Sequence, residues 1–154
     1  MRDGMLVAGV VSTLLAGFAV DAIAQAQPKP ETLVQSRQAA MRLQLKYLSP
    51  LVQMARNRVP YDAAIAARNA GYLDVLLKMA WDDFTPATEG VKSWALPVVY
   101  KEPDKFKAAQ EAVQAAAAKL AATVKGGDEA AVKAGVLALS DACSNCHDKF
   151  REKQ

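Results

Sequence analysis

The chain closes on Cys143-Ser144-Asn145-Cys146-His147, and few short stretches constrain a fold as tightly. Two thiols at i and i+3, with an imidazole directly after the second, project from one face if the segment is helical. That C-x-x-C-H spacing is the attachment signature of a c-type haem: the thiols add to the two vinyl groups of one porphyrin, and the adjacent imidazole swings under the iron as its proximal ligand. The chain therefore has to present a helix face here, with room beside it for a flat apolar body. These are the only two cysteines and the only histidine in 154 residues, so the motif takes the whole supply of soft ligands.

Three other readings of the motif compete. A thioredoxin-like redox pair belongs in a βαβ setting, and nothing in this sequence alternates strand with helix. A structural zinc wants four ligands, and only three Cys/His side chains exist. A simple disulfide between the cysteines is the third.

Compartment bears on the choice. Residues 4–20 carry no charge, and Ala22-Ile23-Ala24 supplies a small-residue cleavage pattern, so residues 1–24 read as a secretory signal peptide, with cleavage after Ala24 or Ala26 left open. The alternative, an uncleaved anchor, is disfavoured by an apolar run marginally short for a span. Export agrees with haem attachment, because covalent c-type haem in bacteria is installed on the periplasmic side. Removing Arg2, Asp3 and Asp21 takes the formal charge from +3 to about +4. With no Lys/Arg-dense run, this gives no reason to expect a nucleic-acid partner, and with the signal removed none to expect a membrane one.

A linker over 25–30 leads into a domain over 31–154. Val34, Gln38, Met41, Leu45, Leu48 and Val52 recur at fours and threes and predict a first helix, with a kink or break at Pro50 and an end by Arg58. Asp62 caps a second helix marked by Ile65, Arg68, Tyr72, Val75, Leu76 and Met79; Gly71 inside it suggests close approach of a neighbour. From Trp81 to Glu102 periodicity vanishes, leaving a long crossover whose aromatics Trp81, Phe84, Trp94 and Tyr100 are expected to pin it down. A third helix over Asp104 to Lys125 carries Phe106, Val113, Ala117, Leu120 and Val124. Its alanines at 115–118 either make room for a flat cofactor or reflect composition. Gly126-Gly127-Asp128 is a glycine stop followed by an N-cap. The fourth helix shows Val132, Val136, Leu139, Cys143, Cys146 and Phe150 on one stripe. Four amphipathic helices, two short turns and one long connection predict an all-α, antiparallel four-helix bundle with the crossover between helices two and three.

With its C-x-x-C-H near the C-terminus, the sequence resembles a class II c-type cytochrome, the cytochrome c′ family, which includes a low-spin branch. Further segments carry the likeness: Arg37-Gln38-Ala39-Ala40-Met41, Pro60-Tyr61-Asp62-Ala63-Ala64, Trp81 through Gly90, Lys105-Phe106-Lys107, and Cys143 through Arg151. The resemblance implies one haem c on Cys143 and Cys146, with His147 as axial ligand. It implies Arg37 near a haem propionate, Arg151 near the outer imidazole nitrogen, and Met41 facing the distal side of the iron. In the low-spin branch a methionine there ligates iron; in the high-spin branch the site is open. It also implies a homodimer through the first two helices, for which Leu43, Tyr47 and Leu51, lying outside the main seam, are candidate contacts. For both arginines a plain solvated charge is the competing reading.

The expected function is electron transfer in the periplasm, the redox partner meeting the basic end of the last helix (Lys149, Arg151, Lys153). The alternative is nitric oxide or carbon monoxide binding at five-coordinate iron. No enzyme is expected, since peroxidase chemistry wants a distal acid–base group and there is no second histidine.

Overall fold

The structure, a computed structural model, describes residues 27–153. The expected signal peptide and the first two linker residues lie outside the described residues. Five helices follow in order: α1 Pro30–Ala55, α2 Ala63–Met79, a one-turn α3 Val98–Lys101, α4 Pro103–Thr123 and α5 Glu129–Phe150. The four long ones pack as a closed ring, α1 on α2, α2 on α4, α4 on α5 and α5 back on α1. Two helical hairpins joined by a crossover thus form a four-helix bundle, as the periodicity predicts. No described helix is long and apolar enough to cross a membrane.

Helix ends follow local chemistry. Pro30 opens α1, where a missing N–H costs nothing. At its other end Asn57 takes φ 54°, and the Arg58 and Asn57 amides bond back to the Gln53 and Met54 carbonyls, closing the helix with a left-handed Asn. Asp62 caps α2 by accepting from the Ile65 amide at 2.9 Å, and Asp128 caps α5 by accepting from Ala130 and Ala131. Gly127 supplies the left-handed stop at φ 72°. The last carbonyls of α2 are taken by neighbours: Gln44 of α1 donates to Leu76 O at 3.0 Å, while Gln114 of α4 and the Trp81 indole both donate to Leu77 O.

The core runs through Leu51, Leu73, Leu120, Val132 and Leu139, all essentially inaccessible. On α4 and α5 the buried positions are those the periodicity picks out, Val113, Ala117 and Leu120, then Val132, Val136, Leu139, Cys146 and Phe150. On the first hairpin the structure corrects the sequence. The buried side of α1 is Val34, Arg37, Gln44, Leu51 and Met54, while Leu45, expected on the seam, is 66% exposed and Met41, Leu48 and Val52 are half-buried. Leu51 is core and not a surplus surface residue. On α2 the buried residues are Ala66, Asn69, Ala70, Leu73 and Leu77, whereas Tyr72, Val75 and Met79 face outward. Ala66 and Ala70 share the core with Leu73 and Leu77, while a second apolar stripe, Tyr72, Val75 and Met79, lies on the outside.

Three further expectations are corrected. Of the kink or break expected at Pro50, the break is absent: α1 runs through it as one helix, with Asn69 of α2 donating to the Tyr47 carbonyl nearby at 3.2 Å. Gly71 meets nothing where a Cβ would stand; the close approach is at Gly135 of α5, whose Cβ would lie 3.2 Å from Leu120 Cδ1 of α4. The crossover is not featureless, since it holds a 3-10 turn at Pro86–Thr88 as well as α3. Trp81 is buried, and Phe84 and Tyr100 are partly so, but Trp94 is 56% exposed and pins nothing with its ring. The backbone beside it does the fastening. Leu96 N–H donates to Phe150 O, Glu152 N–H donates to Trp94 O, and Ala95 and Arg151 form an isolated antiparallel bridge.

Candidate haem site

Cys143, Cys146 and His147 lie in the last two turns of α5, put there by the Asp128 cap and a stripe that buries Val132, Val136 and Leu139 beneath them. Cys146 is buried and Cys143 half-buried. Burial, with the neighbouring Cys146 adding to it, pushes the Cys143 thiol up to about 11. Burial also raises Cys146, with Lys149 opposing. Neutral, shielded thiols are the opposite of a redox-active pair, which works through a lowered thiol pKa. The His147 imidazole is held below its ordinary value by burial first and the Arg151 guanidinium second, against Asp148. It is therefore neutral at pH 7, the state in which a ring nitrogen offers a lone pair to a metal.

The donor set fits a porphyrin better than a bare ion. Among the described residues no three His, Cys, Asp or Glu side chains are arranged to hold a metal ion. The two thiols and the imidazole spread along one helix face, the spacing a vinyl–vinyl–iron arrangement needs. Next to them stands an aromatic cluster: Phe150, the last residue of α5, meets Phe106 edge-on at 5.1 Å, and Phe106 meets Phe84 at 4.9 Å and Trp81 at 5.8 Å. An open cleft of about 680 Å³ between the first turns of α1 and residues 89–92 contains none of the motif side chains.

Arg151 sits one residue beyond α5, its amide on the His147 carbonyl at 3.0 Å and its buried Nε without a partner among the described residues. Met41 is half-buried on α1, the helix that packs against α5. Arg37, one turn earlier, is only 3% exposed. Its Nη1 donates to the Asp83 carbonyl, Thr88 Oγ1 and Tyr100 OH at 3.1 to 3.2 Å, and its Nη2 to Ser93 Oγ at 3.3 Å. The guanidinium lies 4.1 Å from the Phe84 ring centroid. A solvated surface charge is thereby excluded for Arg37. All its partners are neutral and none of the ion pairs among the described residues includes it, so a buried cation stands without a counter-charge. A carboxylate is the chemistry that would complete it, and a haem propionate is one. Thr88, Ser93 and Tyr100 escape the sequence because hydroxyls in an aperiodic stretch carry no pattern.

Known proteins give the family. The family model for cytochrome C′ matches residues 32–151. The chain belongs to the cytochrome c′ family. Cytochrome c′ of Rubrivivax gelatinosus is 38% identical over 126 residues, 81% of this chain and 98% of that protein. Its crystal structure superposes with a TM-score of 0.77 over 80% of this chain and 98% of its own. Cytochrome c-554 of Cereibacter sphaeroides is 32% identical over 88% of this chain and 90% of its own length. A nitric oxide complex of a cytochrome c prime variant from Alcaligenes xylosoxidans is 33% identical, with a TM-score of 0.76 over 81% of this chain and 98% of its own. The chain is thus a c-type cytochrome of the haem-binding c′ family.

Proposed function

We propose that the protein is an exported, periplasmic cytochrome that carries one haem c and acts in electron transfer. The reading rests on one observation above the others: two shielded thiols and a neutral imidazole on one face at the end of α5. Cys143 and Cys146 would hold the haem covalently and His147 would ligate its iron. Bound there, haem supplies one-electron exchange and a coordination position for a small diatomic. Burial keeps the imidazole neutral with the Arg151 charge adding to it, Arg37 would offer its guanidinium to a propionate, and the half-buried Met41 of α1 would cover the distal side of the iron. The uncharged run over residues 4–20 and the Ala22-Ile23-Ala24 pattern, read as a signal peptide over residues 1–24, support export.

A redox partner of acidic character would meet Lys149, Arg151 and Lys153, with the exposed Trp94 beside them. Two copies would pair through α1 and α2, where Leu43, Tyr72, Val75 and Met79 are exposed and Tyr47 meets Tyr72 edge-on at 4.9 Å. The second reading is nitric oxide or carbon monoxide binding at five-coordinate iron, favoured by the nitric oxide complexes of the solved relatives. It needs only that the Met41 side chain move aside. No enzymatic role is proposed, as no second histidine exists to serve as a distal acid–base group. Ferric and ferrous absorption spectra, followed by redox titration and by titration with nitric oxide and carbon monoxide, test both readings. A potential that tracks a partner without gas uptake supports the first, and tight gas binding the second.

A further inference from the structure

The buried cation at Arg37 is held by a hydrogen-bond chain whose direction can be worked out. Thr88 has one hydroxyl proton, and the Thr85 carbonyl lies 2.8 Å away to accept it. Thr88 Oγ1 is then an acceptor toward Tyr100 OH at 2.9 Å, so the phenol donates to Thr88. Tyr100 OH in turn accepts from Arg37 Nη1 at 3.2 Å, and Thr88 Oγ1 accepts from it at 3.1 Å. Protons run one way along the chain, from Arg37 through Tyr100 and Thr88 to the Thr85 carbonyl. With Asp83 O and Ser93 Oγ, these acceptors take up Nη1 and one side of Nη2. Among the described residues no acceptor lies on Nε, and Ser93 Oγ is the one partner of Nη2. On an arginine the Nε–H and an Nη2–H form one edge of the fork, an edge that grips a carboxylate through both oxygens.

We infer that Tyr100 and Thr88 are positioning residues that spend one edge of Arg37 on the crossover so that the other is presented to a carboxylate. The inference rests on the haem reading above, in which that carboxylate is a propionate. Phe84 fixes the plane of the guanidinium by lying against its face, and two further ring contacts, Phe84 to Phe106 and Phe106 to Phe150, connect that plane to the end of α5. The phenol reaches Arg37 from the turn of α3, so a loop of weak sequence pattern sets the aim of a charge on α1. The polar set works as a unit, and its members should couple strongly in double substitutions.

The test uses the purified holoprotein and reads the haem midpoint potential together with amide exchange across residues 83–93. A fixed positive charge beside the haem disfavours the ferric state and raises the potential. Tyr100→Phe and Thr88→Val are each expected to lower the potential, and the double variant to shift it no further than the larger single one. Arg37→Lys keeps the charge but not the fork; it is expected to retain most of the potential while crossover exchange quickens about tenfold. Tyr61→Phe, on a phenol at the far turn, is the control and should shift nothing. Additive shifts from Tyr100→Phe and Thr88→Val, or faster exchange in either of these two variants with its potential unchanged, overturn the inference and reduce the phenol to packing. Covalent haem with a Tyr100-insensitive potential overturns this inference alone, whereas a wild-type chain without covalent haem overturns the haem reading as well.

Discussion

At the scale of single residues the decisive position is Met41. Methionine is a routine gap-filler, and here it is half-buried on α1, one turn after the buried Arg37. Sulfur ligation would raise the potential and fill the sixth position of the iron; an unligated side chain would only obstruct it. We expect the second: a high-spin ferric spectrum that Met41→Ala leaves nearly unchanged, with faster carbon monoxide uptake in the variant. A low-spin spectrum abolished by Met41→Ala would decide for six-coordinate iron. The cysteines carry an independent prediction. Wild-type protein made with the haem-attachment machinery should keep its haem through acid-acetone extraction, and Cys143→Ala with Cys146→Ala should lose all of it. That variant should also fold poorly, because haem is a large apolar body that binds only the native state.

At the scale of elements, caps and stops were legible and faces only half so. Asp62, Asp128 and Gly127 act as their chemistry dictates, and each can be tested by denaturant titration. Asp128→Ala removes an acceptor shared by two amides and should cost about 1 kcal/mol. Gly71→Ala, in open space on a helix, should instead stabilise by about 0.5–1 kcal/mol. A destabilised Gly71→Ala would mean that α2 has a neighbour on that face. The stripes of α4 and α5 were readable because large apolar residues make both the pattern and the core there. On α1 and α2 these separate. Arg37, Gln44 and Asn69 are buried because each has specific partners far along the chain, and a 3.6-residue period cannot show a partner. Ala66 and Ala70 are core through smallness, which a search for bulk passes over. The haem motif itself was fully legible, since its spacing is the chemistry; the hydroxyls around Arg37 were not.

At the scale of the whole molecule, the misread face of α2 becomes the argument for assembly. Single exposed apolar side chains need no explanation, but Tyr72, Val75 and Met79 follow one another at i, i+3 and i+7, and Leu43 and Tyr47 extend the apolar surface along the adjoining helix. The stripe lies on the α1/α2 hairpin, away from the α5 turn that bears Cys143, Cys146 and His147, so pairing there leaves the haem side of each copy open. A two-fold axis would set the same patch against itself, which places residue 75 of one copy close to the hairpin of the other. Fully burying a valine or methionine side chain is worth about 1.5–3 kcal/mol, and the half-exposed side chains of this stripe keep part of that to be gained on pairing. Val75→Glu puts a charge into that surface twice, once from each copy, while disturbing nothing inside the bundle, where Val75 makes no core contact. We therefore expect a dimer mass by light scattering for the wild type and a monomer mass for Val75→Glu, with the haem spectrum and thermal midpoint of the variant monomer close to those of wild type diluted below its dissociation constant. A wild-type monomer at micromolar concentration sinks the dimer outright. A Val75→Glu dimer moves the interface elsewhere, to the exposed Leu45 side of α1 or to the crossover face that carries Trp94.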